Sequence, residues 1–235
     1  MFNNRVSIQN YEDILQNTPL CDLHMHSTWT DGEGTVEEII LQAKNVGLTE
    51  IAITDHIRKA STYFEDYHKE ILNLRDKHNF NVWVGFEAKV NNFDGEIDVT
   101  REVLEKADLS IVSVHRFPLG RKLITAKDFS SEVSQTIELE LSISALRRGG
   151  FSVLGHPGGM SLRLHKEFRA EFFEEIIEEC VKSGIAFDFN SSYHENSKDI
   201  LKELFKKHNP LISIGSDAHR LMHIGNCQKL FSVQA

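Results

Sequence analysis

The stretch CDLHMHSTWTDGEGTVEEIILQAKNVGLTEIAITDH, residues 21–56, contains one complete strand–helix–strand unit, with polar residues after each strand. His24 and His26 are two positions apart, so on a strand both imidazoles project from one face. Asp31 lies just beyond in a run of Thr, Asp, Gly and Glu that reads as a loop. Thr35 and Glu38 then have the spacing of a capping box, Ile39, Ala43 and Val46 share a helical face, and Gly47 is a stop. EIAIT, residues 50–54, is a short apolar strand that delivers Asp55 and His56. Alone, an HxH pair with a nearby acid reads equally as the beginning of a metal site or as ordinary surface and core histidines.

The same unit recurs along the chain. NVWVGFE, LSIVSV, FSVLG, IAFDF and LISIGS are further runs of buried-strand length, separated by amphipathic segments. SSEVSQTIELELSISALRRGG and EFFEEIIEECVKSG each end in glycine, and NSKDILKELFKKHNP opens with capping residues and stops before Pro210. Residues 63–79 and 100–107 also read as helices. Seven strands alternating with helices predict parallel βα units with right-handed crossovers. The residues at the C-terminal end of each strand separate a barrel from an open sheet. In order these are Asp22, His24 and His26; Asp55 and His56; Glu87; His115; His156; Asn190; and Asp217 with His219. In a barrel those ends converge on one mouth, whereas the outermost strands of an open sheet lie too far apart to share a site. The expectation is an α/β fold with a closed or nearly closed barrel, forming one domain over residues 1–235.

Composition narrows the function classes. A chain of 235 residues is long enough for one large core. Its net charge of −9 argues against a broad phosphate-binding surface of the kind nucleic-acid binders carry. Cys21, Cys180 and Cys227 show no CxxC spacing and suit a reducing cytosol, so a cytoplasmic location is expected. The segment MFNNRVSIQNYEDILQ has no apolar core of a secretory leader, and no run is long enough to span a membrane. Six of the twelve histidines stand at strand ends. His68, His78 and His208 fall in helical segments, and His165, His194 and His223 in loops or near the final helix. Of these, His194 is kept as a supporting residue because it stands four positions after Asn190.

DLHMHS, TDH, GFEAKV…DGEID, SVHRF, GHPGG and GSDAH resemble, in order and spacing, the motifs of the PHP (polymerase and histidinol phosphatase) domain family, from about Asp22 to His219. The resemblance implies a distorted seven-stranded (β/α)7 barrel, TIM-barrel-like, with up to three divalent metals at its C-terminal mouth. It also implies a ligand set. His24, His26, Glu87 and Asp217 match the ligands of one metal; Glu87, His115 and His156 those of a second; Asp31, His56 and His219 those of a third. Imidazole and carboxylate ligands suit zinc, manganese or iron. Asp22 and Asp55 are read either as groups that orient histidines or as turn and cap residues. Asn190 matches a polar strand-end position of the family.

The complete ligand set implies metal-dependent hydrolysis of a small phosphomonoester, histidinol phosphate- or nucleotide-like, by water deprotonated at the metals. Arg116, Arg163 and Arg220 are candidates for holding the substrate phosphate, with solvated surface arginine as the equal alternative. The long loop RFPLGRKLITAKDFS, with Arg116, Arg121, Lys122 and Lys127, is the expected place for specificity. The expected partner is a small phosphorylated molecule, with no membrane and with nucleic acid disfavoured. Alternatives are a nuclease acting on nucleic-acid ends, a non-catalytic PHP module, and an amidohydrolase-type C–N hydrolase. No lysine stands at a strand end to bridge metals in the last. After His219, RLMHIGNCQKLFSVQA has the length of a short closing helix.

Overall fold

In the computed structural model, residues 6–119 and 122–231 are described. The alternation read from the sequence is built as β1 (Gln9–Asn10), α1 (Tyr11–Gln16), β2 (Cys21–Asp22), α2 (Val36–Asn45), β3 (Glu50–Ile53), α3 (Phe64–His78), β4 (Asn81–Lys89), α4 (Arg101–Lys106) and β5 (Leu109–Ser113). A hairpin of β6 (Phe117–Leu119) and β7 (Lys122–Ile124) leads to α5 (Ser131–Arg148), β8 (Val153–Gly155), α6 (Gly159–His165) and α7 (Ala170–Ser183). The remainder is β9 (Ala186–Asn190), α8 (Ser191–His194), α9 (Lys198–His208), β10 (Leu211–Gly215) and two 3-10 turns, Leu221–His223 and Asn226–Leu230.

The seven expected strands are β2, β3, β4, β5, β8, β9 and β10, and all their pairings are parallel. The sheet order is β1-β10-β9-β8-β5-β4-β3-β2, with the short β1 added antiparallel to β10. Its far edges then meet. Leu23 N–H donates to Ile214 O at 2.8 Å, Asp217 N–H to His24 O at 2.8 Å, and His26 N–H to Ala218 O at 2.9 Å. These bonds close the ring along an irregular seam rather than a regular ladder, and this is where the barrel is distorted. Strands β3, β5, β8 and β9 are buried along their whole length, as expected for parallel strands covered by helices. One core cluster centres on β5, β8, β9 and β10 with α5, α7 and α9, and the other on β3 and β4 with α2 and α3. In the first, the Phe205 ring meets Tyr11, Phe187 and Phe189, so Phe205→Ala would cost about 3–5 kcal/mol.

Local chemistry explains most boundaries. The Thr35–Glu38 capping box forms and opens α2, and Ile39 and Ala43 are buried. Val46, assigned to the same face, is instead 45% exposed, because the helix stops at Asn45 and Gly47 (φ +83°) turns the chain away. Ser197 makes no side-chain cap at α9, which continues directly from the 3-10 turn Glu195–Ser197. The basic loop after His115 is partly a hairpin, and Arg121 lies outside the described residues. The expected closing helix is two 3-10 turns, interrupted at Gly225 (φ +79°), whose N–H donates to Asp22 Oδ2 at 2.9 Å. Cys21, Cys180 and Cys227 are free and buried. Among the described residues no helix is long and apolar enough to cross a membrane. His78 and His208 each meet a surface carboxylate, Glu37 at 2.8 Å and Glu174 at 2.9 Å.

Candidate metal centre

The barrel brings all nine candidate ligands to one mouth, eight at or just after strand ends and Asp31 from the loop after the first parallel strand. His24 Nε2 lies 3.5 Å from Glu87 Oε1 and 3.7 Å from Asp217 Oδ1. His26 Nε2 is 3.1 Å from Asp217 Oδ1 and 3.7 Å from Glu87 Oε2. Across the Glu87 carboxylate, His115 Nε2 and His156 Nε2 stand 3.1 and 3.0 Å from Oε1. Asp31 Oδ2 is 3.4 Å from both His56 Nε2 and His219 Nε2. The groups interlock: His56 Nδ1 also reaches Glu87 Oε2 at 3.0 Å, and His26 falls within the Asp31–His56–His219 group.

Two of these residues are held in backbone conformations that side chains seldom adopt. His156 has φ +29° and Asp217 φ +52°, a strain found at functional sites when the surroundings enforce it. The His156 N–H is fixed by Asp188 Oδ2 at 3.1 Å and the Asp217 N–H by His24 O at 2.8 Å. Asp188 also receives the His24 Nδ1 proton at 2.8 Å, which turns Nε2 toward Glu87 and Asp217. The residue therefore orients His24 and the His156 backbone at once. Gly215 makes room for it: a Cβ there would come 2.6 Å from Asp188 Oδ1 and 2.6 Å from His24 Cβ. Asn190 Nδ2 donates to Asp188 Oδ2 at 3.0 Å.

Asp188 escapes the motif pattern, although one acid within the apolar run IAFDF is a signal in itself. Asp22 and Asp55, read as possible orienting groups, touch no histidine ring among the described contacts. Asp22 accepts the N–H groups of Ser216 and Gly225, both at 2.9 Å, and ties the last strand to the final turns. Asp55 accepts Ser27 N–H, Ser27 Oγ–H and Thr30 Oγ1–H, which fixes the loop that carries Asp31. His194 is buried away from the mouth. Its Nδ1 accepts Asn190 N–H at 3.1 Å, so the proton sits on Nε2 and is donated to Pro157 O at 2.9 Å. It pins the GHPGG loop to β9.

Titration reflects this crowding. Burial disfavours the Glu87 carboxylate, but His115, His156 and His24 around it outweigh burial and hold it well below the usual range. Burial likewise opposes charge on His24 and His156, yet the carboxylates beside them, Asp188 and Glu87 for His24, Glu87 and Asp217 for His156, raise both. Burial wins at His115 and pushes it down. At His194 burial lowers the pKa to about 4, and at Asp22 burial raises it to about 6.

A metal fits this donor set. His24 Nε2, His26 Nδ1, His26 Nε2 and His56 Nδ1 are buried ring nitrogens that face carboxylate oxygens at 3.0–3.7 Å without the geometry of a hydrogen bond. Orphaned polar atoms of this kind cost stability unless something coordinates them. His24, His26 and Glu87 form one group able to hold an ion, His56, Glu87 and His115 a second, and His26, Asp31, His56 and His219 a third. A fourth group, Glu174, Glu178 and His208, lies on the surface, where Lys207 Nζ already takes Glu174 at 2.6 Å.

Beside the centre opens a cavity of about 530 Å³, within the range of small-molecule sites. Asp31, Asp217 and His219 form its metal end, and Arg163, Lys166 and Tyr193 stand elsewhere in its wall. Arg220 also lines it, paired to Glu33 at 3.1 Å. Arg116 is exposed, and neither it nor Lys127 lines the cavity, so the described part of the basic loop forms no part of this wall. Tyr193 is a further residue that the sequence does not single out. Its ring stacks on His156, centroids 4.5 Å apart, and lies over Gly159, where a Cβ would meet it at 3.0 Å.

Six imidazoles and three carboxylates at the mouth of a parallel barrel define the build of a metal-binding hydrolase. The chain matches the PHP domain over residues 22–192 and belongs to that family. A protein of Caldicellulosiruptor bescii named "Probable phosphatase" is 30% identical, over 82% of this chain and 76% of the relative. "Probable phosphatase YcdX" of Escherichia coli is 24% identical, over 90% of this chain and 83% of the relative. Among solved structures, a histidinol phosphatase candidate, hisK, from Listeria monocytogenes has a TM-score of 0.74 at 18% identity, covering 90% of this chain and all of the other. The histidinol phosphate phosphatase of Lactococcus lactis, solved with zinc, L-histidinol and phosphate, has a TM-score of 0.66 at 19% identity, covering 89% and 91%. With these relatives the chain is an enzyme, a hydrolase of the phosphoesterase class.

Proposed function

We propose that the chain is a single-domain enzyme, working in the cytoplasm, that hydrolyses a small phosphate monoester at a centre of up to three divalent ions of zinc, manganese or iron. His24, His26, Glu87 and Asp217 would hold one ion, Glu87, His115 and His156 a second, and Asp31, His56 and His219 a third. The observation that carries this reading is the set of four buried ring nitrogens that face carboxylates without hydrogen-bond geometry, gathered around Glu87 and Asp217 beside an open cavity. The zinc and phosphate bound by the Lactococcus lactis neighbour agree with it.

Divalent ions in such a centre lower the pKa of water toward neutrality and offset charge on phosphoryl oxygens. The chain's own residues supply the rest. Asp188 holds His24 in one tautomer, with Nε2 free to face the centre. Neighbouring imidazoles outweigh burial and keep Glu87 ionised, as a residue shared between two ions requires. Arg220, at the cavity rim beside His219, is a candidate to meet the phosphate. A cysteine nucleophile is disfavoured, because burial raises the thiols of Cys21, Cys180 and Cys227 and keeps them protonated.

The test is a hydrolysis panel on protein supplied in turn with manganese, zinc and iron, its metal content measured alongside. Substrates run from p-nitrophenyl phosphate through histidinol phosphate and nucleoside monophosphates to single-stranded oligonucleotides. Turnover of a monoester is expected, falling on the order of a thousandfold or more in His115→Ala with loss of about one ion. Cleavage of oligonucleotides alone would replace this reading with a nuclease, and an inert protein with its metals bound would overturn it.

A further inference from the structure

The cavity extends beyond the metal end, and its wall there has a definite charge. Among the described lining residues the only carboxylates are Asp31 and Asp217, both at the metal centre. Arg163 and Lys166 line the wall formed by α6, and neither has a carboxylate within 4.0 Å among the described residues. Arg220, by contrast, is offset by Glu33.

The presentation of these two cations is built into the fold. Glu138, buried in α5, accepts the N–H groups of Met160 and Ser161 at 2.9 and 2.8 Å and the Ser161 hydroxyl at 2.7 Å, which fixes the first turn of α6. Lys166 ends that helix at φ +64°, a left-handed position that usually goes to glycine or asparagine and costs another side chain about 1 kcal/mol. Its Nζ folds back to donate to Arg163 O at 3.1 Å, which keeps its charge beside the Arg163 residue. Two cations in one wall with no carboxylate paired to either favour an anion that reaches both.

We infer that the alcohol portion of the substrate carries its own negative charge, a carboxylate or a second phosphate, and that Arg163 and Lys166 recognise it while the ester phosphate lies at the metal centre. This rests on the phosphoesterase reading above. It separates the chain from the Lactococcus lactis neighbour, whose bound L-histidinol carries an amine. An amino alcohol would set its cation against this wall. Tyr193, Ser192 and Asn196 add hydrogen-bonding groups to the same cavity, which suits a small polar alcohol rather than an apolar one.

The experiment compares kcat/KM for four esters of similar size. These are 2-aminoethyl phosphate, glycerol 3-phosphate, 3-phosphoglycerate and propane-1,3-diol bisphosphate, whose alcohol portions are cationic, neutral, carboxylate-bearing and phosphate-bearing. The wild-type enzyme is expected to favour at least one anionic ester over the neutral one by on the order of tenfold, with the amino ester last. The two anionic arms identify which group is taken. Arg163→Gln with Lys166→Gln brings the anionic-to-neutral ratio to about one, and Arg163→Glu with Lys166→Glu moves the amino ester ahead of the anionic ones. The ratio within each variant is independent of how much active protein it yields. Esters turned over without charge preference, or a preference that survives both double variants, would overturn the inference and leave the phosphoesterase reading standing. No turnover of any ester, p-nitrophenyl phosphate included, would remove that reading and this inference together.

Discussion

The inner wall and the outer corner of the centre use the same residue types in opposite surroundings. The side chains of His24, His26, Glu87 and His156 are at most 2% exposed, whereas those of Asp31, His56 and His219 are 52%, 25% and 37% exposed. The inner residues sit on or directly after strands, locked by the barrel seam and by Asp188. Asp31 stands on a loop, held through its neighbours by Asp55 and by the Trp29 indole N–H, which donates to Glu70. Water can solvate the outer corner but not the orphaned nitrogens of the inner wall. An ion in the inner wall would therefore bear most on the stability of the fold, and an ion at the corner, where only His26 and His56 offer buried nitrogens, most on the reaction.

The severest challenge to that division is Glu87→Ala, which removes the carboxylate common to most of the centre. Activity should fall by on the order of a thousandfold or more, and bound metal by more than one ion per chain. Metal-loaded wild type and variant should also differ in Tm by several degrees, since a ligand that binds only the folded state stabilises it. Equal melting would show that the inner ions leave the fold indifferent. Asp31→Ala asks the converse. Its activity should drop by on the order of ten- to a hundredfold with one ion lost, and its Tm should stay near that of wild type.

The smallest expected effect probes the buried wall through His194. Its pKa in the fold, about 4, lies below the usual 6.5, so the unfolded chain takes up its proton first as pH falls. The stability due to its neutral form is whole above about pH 6.5 and is lost on acidification toward pH 4, by about 3 kcal/mol. Asp22, raised to about 6, works the other way: its contribution fades as pH rises from about 4 to 6. Denaturant melts of wild type and His194→Gln between pH 4 and 7 cancel the Asp22 effect, and the variant should show the flatter acid limb. Parallel curves would mean that His194 titrates like an exposed histidine.

Legibility divides along the same line. Strand-end residues such as His115 and Glu87 can be read because short apolar runs announce strands, and the residue at the C-terminal end of a strand in a parallel barrel faces the mouth. Asp188 is hidden because IAFDF reads as apolar strand, and only the closed ring brings it under His24. Asp22 and Asp55 are placed at the mouth by their motifs, but adjacency in sequence does not tell a carboxylate that holds an imidazole from one that holds backbone amides. Tyr193 depends on a four-residue helix and on the space left by Gly159, neither of which has a sequence period. The basic loop after His115 is legible as a run of cations, but the wall that a specificity residue would have to join is not, and Arg116 and Lys127 stand outside the cavity beside the centre.

The seam between residues 23–26 and 214–218 has a further consequence, for the order in which the molecule is made. Contacts this distant in sequence form late, after the intervening loops have been closed by local folding. His24 and His26 are synthesised well before Asp217 and His219, which follow the seventh parallel strand. A nascent chain thus carries a pair of histidines through the synthesis of the intervening strands without the carboxylate that completes their group. An ion held by His24, His26 and Asp217 would be captured as the last strand docks, and metal supply would then act on the final step of folding.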